Sequence, residues 1–168
     1  MAQNDIKYVT PRTTNGAVDT YQVLKGTTAS INEGEPVFLG KNTLGTNYVQ
    51  AITASQALQP SKGTDWLVGV SVTPSNETTT ADGTVSVIPT STADIWLIAP
   101  KTAATWNTQA KYNALVGRRV LFDVTGGVIT VLATPNTTNS GLVVAPLNIT
   151  QTPGQVAFFF RGALNYLS

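Results

Sequence analysis

The sequence predicts an all-β fold: a single-domain β-sandwich or small β-barrel, with one short connector helix and an extended N-terminal arm. Three observations point there. Thr is abundant and joins Val, Ile and the aromatics, which suit a pleated and half-buried surface, while 14 Gly and 9 Pro supply turns. Short apolar runs recur between Gly, Pro, Asn and Asp residues, at the spacing of a sandwich or barrel. No period of about 20 to 50 residues repeats, so a solenoid or propeller is not expected. At 168 residues the chain can bury one continuous core without disulfides or metal.

Residues 1–20 are polar and mixed. Thr10, Pro11, Arg12, Thr13, Thr14, Asn15 and Gly16 offer no periodic apolar face, so this segment reads as an arm, and the β domain as residues 21–168. The first strand is expected at 21–24, closed by Lys25-Gly26, and the second at 36–39, entered through Glu33-Gly34-Glu35. Residues 48–52 should pair with it. Residues 66–72 are nearly continuous apolar, as in a strand buried on both faces, and Gly69 within them marks a bulge or a close backbone approach. Asp82-Gly83 then turns the chain into a strand with Val85 and Val87 on one face and Ser86 and Ile88 on the other. Another short strand is expected at 95–98.

The one expected helix spans 108–116, with Asn107 as its cap, Ala110, Ala114 and Leu115 favouring it, and Gly117 ending it. Strands at 120–124 and 128–132 flank Thr125-Gly126-Gly127, whose adjacent glycines accept the positive φ angles of a type I′ hairpin turn. The chain continues through a strand at 142–144, a break at Pro146, a type II turn at Pro153-Gly154 and a strand at 156–160.

Composition excludes several classes of function. Charged residues make up 11% of the chain and the formal net charge is +1, too little field to steer nucleic acid or an anionic membrane. Cys is absent, which removes disulfides and zinc thiolate sites. His is absent too, and with it the commonest general base and metal ligand. The longest apolar runs, 95–99 and 157–160, fall far short of the roughly 20 residues of a membrane helix. Met1-Ala2-Gln3-Asn4-Asp5 has neither the basic nor the apolar region of a secretory signal, so synthesis in the cytoplasm is expected.

No motif carries chemistry. Residues 34–42 superficially match a phosphate loop, but they have one residue too many between the glycines and Asn42 where Ser or Thr must hold magnesium. Glu33 and Glu35 read as solvated acids at a turn entry, with no third acid to share a cation. Arg118 and Arg119 would point to opposite faces of a strand, so they form no basic patch. The sequons at Asn76, Asn136 and Asn148 are expected by chance in a chain rich in Thr and Asn. No catalytic residue, metal or cofactor is therefore expected.

Several stretches follow one another in a telling order: Gly34-Glu35-Pro36-Val37 opening a strand, then Val68-Gly69-Val70, then Gly83-Thr84-Val85-Ser86-Val87, then Val116-Gly117-Arg118-Arg119-Val120-Leu121-Phe122-Asp123, and a final strand at 156–161. From about residue 31 to residue 161 this order resembles the small decoration, or cement, proteins of tailed-phage capsids. The resemblance implies a compact β-barrel or sandwich without an active site. It also implies attachment to the outer capsid surface of the virion as a homo-oligomer, with a trimer favoured over a dimer. The implied partners are the major capsid protein of the same phage and neighbouring copies of the chain, with no nucleic acid and no membrane. The polar arm and the long stretch 99–117 depart from the shortest members.

Within the arm, Tyr8, Pro11 and Arg12 are the expected contacts with capsid or neighbour, because aromatic residues and arginine are favoured anchors. The arm is expected to order only against that neighbour. With so few charges, a partner should be held by shape and apolar contact. An alternative is a phage fibre-like β-sandwich module that binds host-surface carbohydrate, for which Trp106, set between Thr105 and Asn107, is the candidate surface aromatic.

Overall fold

The computed structural model describes residues 7–8, 18–26, 30–39, 48–52, 66–89, 95–132 and 142–160. The strands in the first half of the chain are β1 (Lys7–Tyr8), β2 (Asp19–Val23), β3 (Pro36–Leu39), β4 (Tyr48–Ala51), β5 (Trp66–Ser71) and β6 (Gly83–Pro89). The second half holds β7 (Trp96–Ile98), a 3-10 turn (Ala103–Thr105), α1 (Gln109–Asn113), β8 (Arg119–Thr125), β9 (Val128–Leu132), β10 (Leu142–Val144) and β11 (Val156–Phe160). The fold is all-β.

Strands β2 to β6 close into a barrel in the order β2-β4-β3-β5-β6, with β2 and β4 parallel and the other pairs antiparallel. Closure removes exposed sheet edges. Its interior is filled by Val23, Ile31, Val37, Val49, Val68, Val85 and Val87. These β-branched side chains are stiff at χ1 and compact enough for a barrel of five strands.

A bulge decides which core β5 serves. Val37 pairs with Gly69 but Phe38 pairs with Leu67, so Val68 is an extra residue on β5. One extra residue reverses the face on which the following side chains point. Val68 accordingly fills the barrel, whereas Val70, two residues on, joins the second core outside it.

The remaining strands form an antiparallel sheet in the order β1-β7-β11-β10-β8-β9. The sheet curls until its last strand meets the continuation of β7. Val131 N–H donates to the Ala99 carbonyl at 3.1 Å, and Lys101 N–H donates to the Val131 carbonyl at 2.9 Å. Inside the curl lie Trp96, Ile98, Val120, Phe122, Ile129, Val131, Val156, Phe158 and Phe160. Their rings meet edge to face, with centroids 5.3 Å apart for Phe158 and Phe160 and 5.7 Å for Phe122 and Phe158, the arrangement the ring quadrupoles favour. Phe38, Ile52 and Val70 from the barrel belong to the same cluster, and Ile88 packs against it. The outer face of the barrel is thus part of the second core.

Several expected elements appear at their expected bounds: β3, β9, β10 and β11. Gly126 and Gly127 have φ of 59° and 79°, as the hairpin turn between β8 and β9 requires. Other expectations need correction. The helix covers only 109–113, and its cap is Thr108, whose hydroxyl accepts from Lys111 N–H at 3.3 Å; Asn107 instead accepts from the Lys111 ammonium at 3.0 Å. Tyr112, within this helix, is fully buried. The arm was expected to run strandless to residue 20, yet Lys7–Tyr8 pairs with β7 and Asp19–Thr20 with β6. Such short ladders are made by backbone groups and need no apolar periodicity, which is why no pattern marks them.

Candidate functional site

Tyr8 lies in β1, paired with Trp96, and Lys7 with Leu97. Pro11 and Arg12 lie outside the described residues. The arm anchor is therefore placed only through its backbone, along the edge of β7. That edge is shared: β1 occupies it at residues 96–97, and β9 at 99–101.

Trp106 is not a surface aromatic. It is 4% exposed, in the second core, with its ring 5.6 Å from that of Tyr112. The 3-10 turn swings it inward although its neighbours Thr105 and Asn107 are exposed. Its indole N–H is buried without an acceptor, a cost of about 1–3 kcal/mol that ring burial must offset. A sugar-stacking platform at this residue is excluded by burial.

Glu33 and Glu35 do not form a pair. Glu33 is exposed, whereas Glu35 is 6% exposed and tied into a polar knot at the mouth of the barrel. Asn32 donates to its carboxylate from the backbone at 3.0 Å and from its side-chain amide at 2.9 Å. Ser71 joins the two segments: its hydroxyl accepts from Glu35 N–H at 3.0 Å, and its N–H donates to the Glu35 carbonyl at 2.9 Å. Gly34, at φ 78°, donates to the Ser71 carbonyl. The amide that a phosphate loop would aim at a ligand is thus used within the fold. Arg118 is exposed ahead of β8 and Arg119 half-buried within it, so no joint basic patch forms.

Two further clusters escaped the sequence reading. Asp82 accepts from Lys25 N–H at 2.9 Å and from the Tyr48 hydroxyl at 2.8 Å, pinning three segments at one end of the barrel. The Lys25 N–H, then the Tyr48 hydroxyl, hold its carboxyl below the usual carboxylate range, and the same bond raises the Tyr48 phenol. At the curl of the second sheet, Lys101 pairs with Asp123 at 2.8 Å, and Thr125 donates to the same oxygen at 2.8 Å. Burial pushes the Asp123 carboxyl up, but the Lys101 and Thr125 bonds outweigh it and its pKa lies lower than usual. Neither cluster is marked in sequence, because each joins residues distant along the chain.

Among the described residues, Val18 is the one large apolar side chain left exposed. The loop from Thr73 to Asp82 shows mostly hydroxyls and amides, and it is held by its own bonds: Thr78 accepts from Ala81 N–H at 2.9 Å, and Asn76 from Thr84 N–H at 2.6 Å. The described surface can therefore offer a partner polar groups on a rigid frame and strand edges, rather than an apolar patch. Also among the described residues, no three Asp or Glu side chains come together to hold a metal ion, and no helix is long and apolar enough to cross a membrane. No protein-family model, curated protein or solved structure matches the chain.

Proposed function

We propose that this protein binds the outside of an assembled tailed-phage capsid and stabilises the shell, as a decoration protein. The observation that carries this reading is where the resembling stretches lie in the fold. Gly34-Glu35-Pro36-Val37 enters β3 through the polar knot, Val68-Gly69-Val70 is the bulged strand that serves both cores, and Gly83 to Val87 opens β6. Val116 to Asp123 leads into β8, with Gly117 N–H donating to the Val144 carbonyl at 2.9 Å, and the last stretch is β11. All lie in strands or in their hydrogen-bonded joins, a framework suited to a protein that works by binding alone.

Stabilisation follows from binding. A ligand that prefers the intact shell raises the free energy of disrupting it by mass action. Subunits repeat around the symmetry axes of a shell, so an oligomer engages several at once and weak contacts gain avidity. The test mixes purified protein with undecorated shells, counts bound copies and compares heat resistance with and without it. A fixed copy number per shell and a raised disruption temperature are expected. Absence of binding to shells would overturn the reading.

A further inference from the structure

We propose that the open wall of the barrel binds a neutral carbohydrate chain, with the Tyr48 ring as its platform and Asp82, Gln22 and Thr84 as its polar contacts. The wall follows from the strand register. Val49 fills the barrel and Ala51 packs with it, so Tyr48 and Gln50, at the alternate positions, point outward. Val23 and Val85 also point inward, which turns Gln22 and Thr84 to the outer face. Gln22 stands opposite Thr84 on one side and Tyr48 on the other, so an amide, a hydroxyl and a ring share one row across β6, β2 and β4. The second sheet covers the barrel on the side of β3 and β5, where Phe38 and Val70 enter its core, and leaves Thr20, Gln22 and Thr84 exposed.

Tyr48 is held in this wall. Its hydroxyl donates to Asp82 at 2.8 Å, and Asp82 stands at the entry of β6, on the far side of β2. The bond therefore crosses β2 and lays the ring over that strand, beside Gln22. Asp82 is fixed in turn by Lys25 N–H at 2.9 Å. A platform fixed before the ligand arrives loses little freedom on binding. Each Asp82 oxygen accepts one of these bonds, and a carboxylate has about four accepting positions, so room remains for hydroxyl donors. Among the described residues, no hydrogen bond occupies the Gln22 amide or the Thr84 hydroxyl. A sugar matches this set: its C–H face rests on an aromatic ring, and its hydroxyls both donate and accept, as an amide, a hydroxyl and a carboxylate require. An open wall also lets a chain run on past both ends. Lys25, exposed at the end of the wall, makes a sulfated glycan the competing ligand.

This proposal does not rest on capsid binding, and its test contains no shells. Isotope-labelled full-length protein is titrated with glucan, mannan and galactan oligosaccharides and, separately, with a sulfated glycan, while NMR follows the backbone and Gln side-chain amides. Saturable shifts centred on residues 20–22, 48–50 and 82–84 are expected with at least one neutral probe. Gln22→Ala should weaken that binding about 2- to 10-fold, as the loss of one hydrogen bond does, and Tyr48→Ala should abolish it. No shift with any neutral probe, shifts centred elsewhere, or binding of the sulfated glycan alone would overturn the proposal. Gln22 is exposed, so its replacement spares the fold. If the Tyr48→Ala chain does not fold, the Gln22→Ala titration decides, and an unchanged affinity there counts against the site.

Discussion

At the scale of single residues, Tyr112 carries more than its helix suggests. Its ring is fully buried, its hydroxyl accepts from Ala157 N–H at 2.9 Å and donates to the Ala145 carbonyl at 3.0 Å, and so it links the end of β10 to β11. Tyr112→Phe leaves a buried N–H and a buried carbonyl without this partner and should cost about 1–3 kcal/mol in urea unfolding. Burial pushes the phenol up to about 12, with the Ala157 bond opposing it, against 10 for a phenol free in water. The folded chain then holds this proton more tightly than the unfolded one. Stability should be fully present below pH 10 and fall as pH rises from there towards 12, and the Phe variant should lack this component of the slope. Gly69 is a second such residue. An added Cβ would lie 2.1 Å from the Ile88 carbonyl oxygen and 2.5 Å from a Val87 methyl. Gly69→Ala should lose about 1–3 kcal/mol or more, because backbone cannot move aside as a side chain tip can. A variant as stable as the parent would show that β5 and β6 approach less closely than described.

At the scale of elements, the curl of the second sheet is closed by backbone bonds at Val131 and fastened by Lys101 and Asp123. The Lys101 side chain is 42% exposed and that of Asp123 13%, so the pair should contribute at most about 1 kcal/mol. With the folded pKa of Asp123 below its unfolded value, this contribution is present above the unfolded pKa and is lost as pH falls through the folded one. Asp123→Asn should therefore be slightly less stable than the parent near neutrality and converge with it in acid, as read by melting curves across pH. A constant difference at all pH values would place the effect in packing rather than charge. The β8–β9 turn touches this fastening through Thr125 but has a backbone requirement of its own. Replacing Gly127, at φ 79°, with Ala should cost about 1–2 kcal/mol through the left-handed backbone alone.

At the scale of the molecule, the two sheets should behave as one cooperative unit. Phe38 is 5% exposed and projects from the barrel strand β3 into the aromatic core of the other sheet. Phe38→Ala should cost about 3–5 kcal/mol, and hydrogen exchange should then speed up together in the slowest amides of β6 and β11. Acceleration confined to one of them would show two separable units. If the protein decorates a shell, a net charge of +1 and the rigid, polar described surface predict attachment that survives moderate salt. A complex held by phosphate contacts would instead weaken steeply as salt rises. Counting bound copies at rising salt distinguishes the two.

Local chemistry made most of the fold legible in the sequence. Alternation placed Val85 and Val87 inside the barrel and Ser86 and Ile88 outside it, paired glycines defined the β8–β9 turn, and β3, β9, β10 and β11 followed from apolar runs bounded by turn residues. These features depend on neighbours along the chain, so a reading along the chain can find them. The sequence also established that neither His nor Cys is available for chemistry. Only the tertiary structure decided what depends on residues far apart. Gly69 marked a bulge or close approach in the sequence, and both are there, but that the extra residue Val68 divides β5 between two cores, and that Asp82 draws Tyr48 and Lys25 together, appears only in the fold. Trp106 shows the limit most clearly: polar neighbours suggested an exposed ring, but the 3-10 turn and the cavity-filling demand of the second core turned it inward. The two-residue strand at Lys7 and Tyr8 was equally hidden, because a ladder made of backbone groups leaves no mark on the side chains that a sequence records.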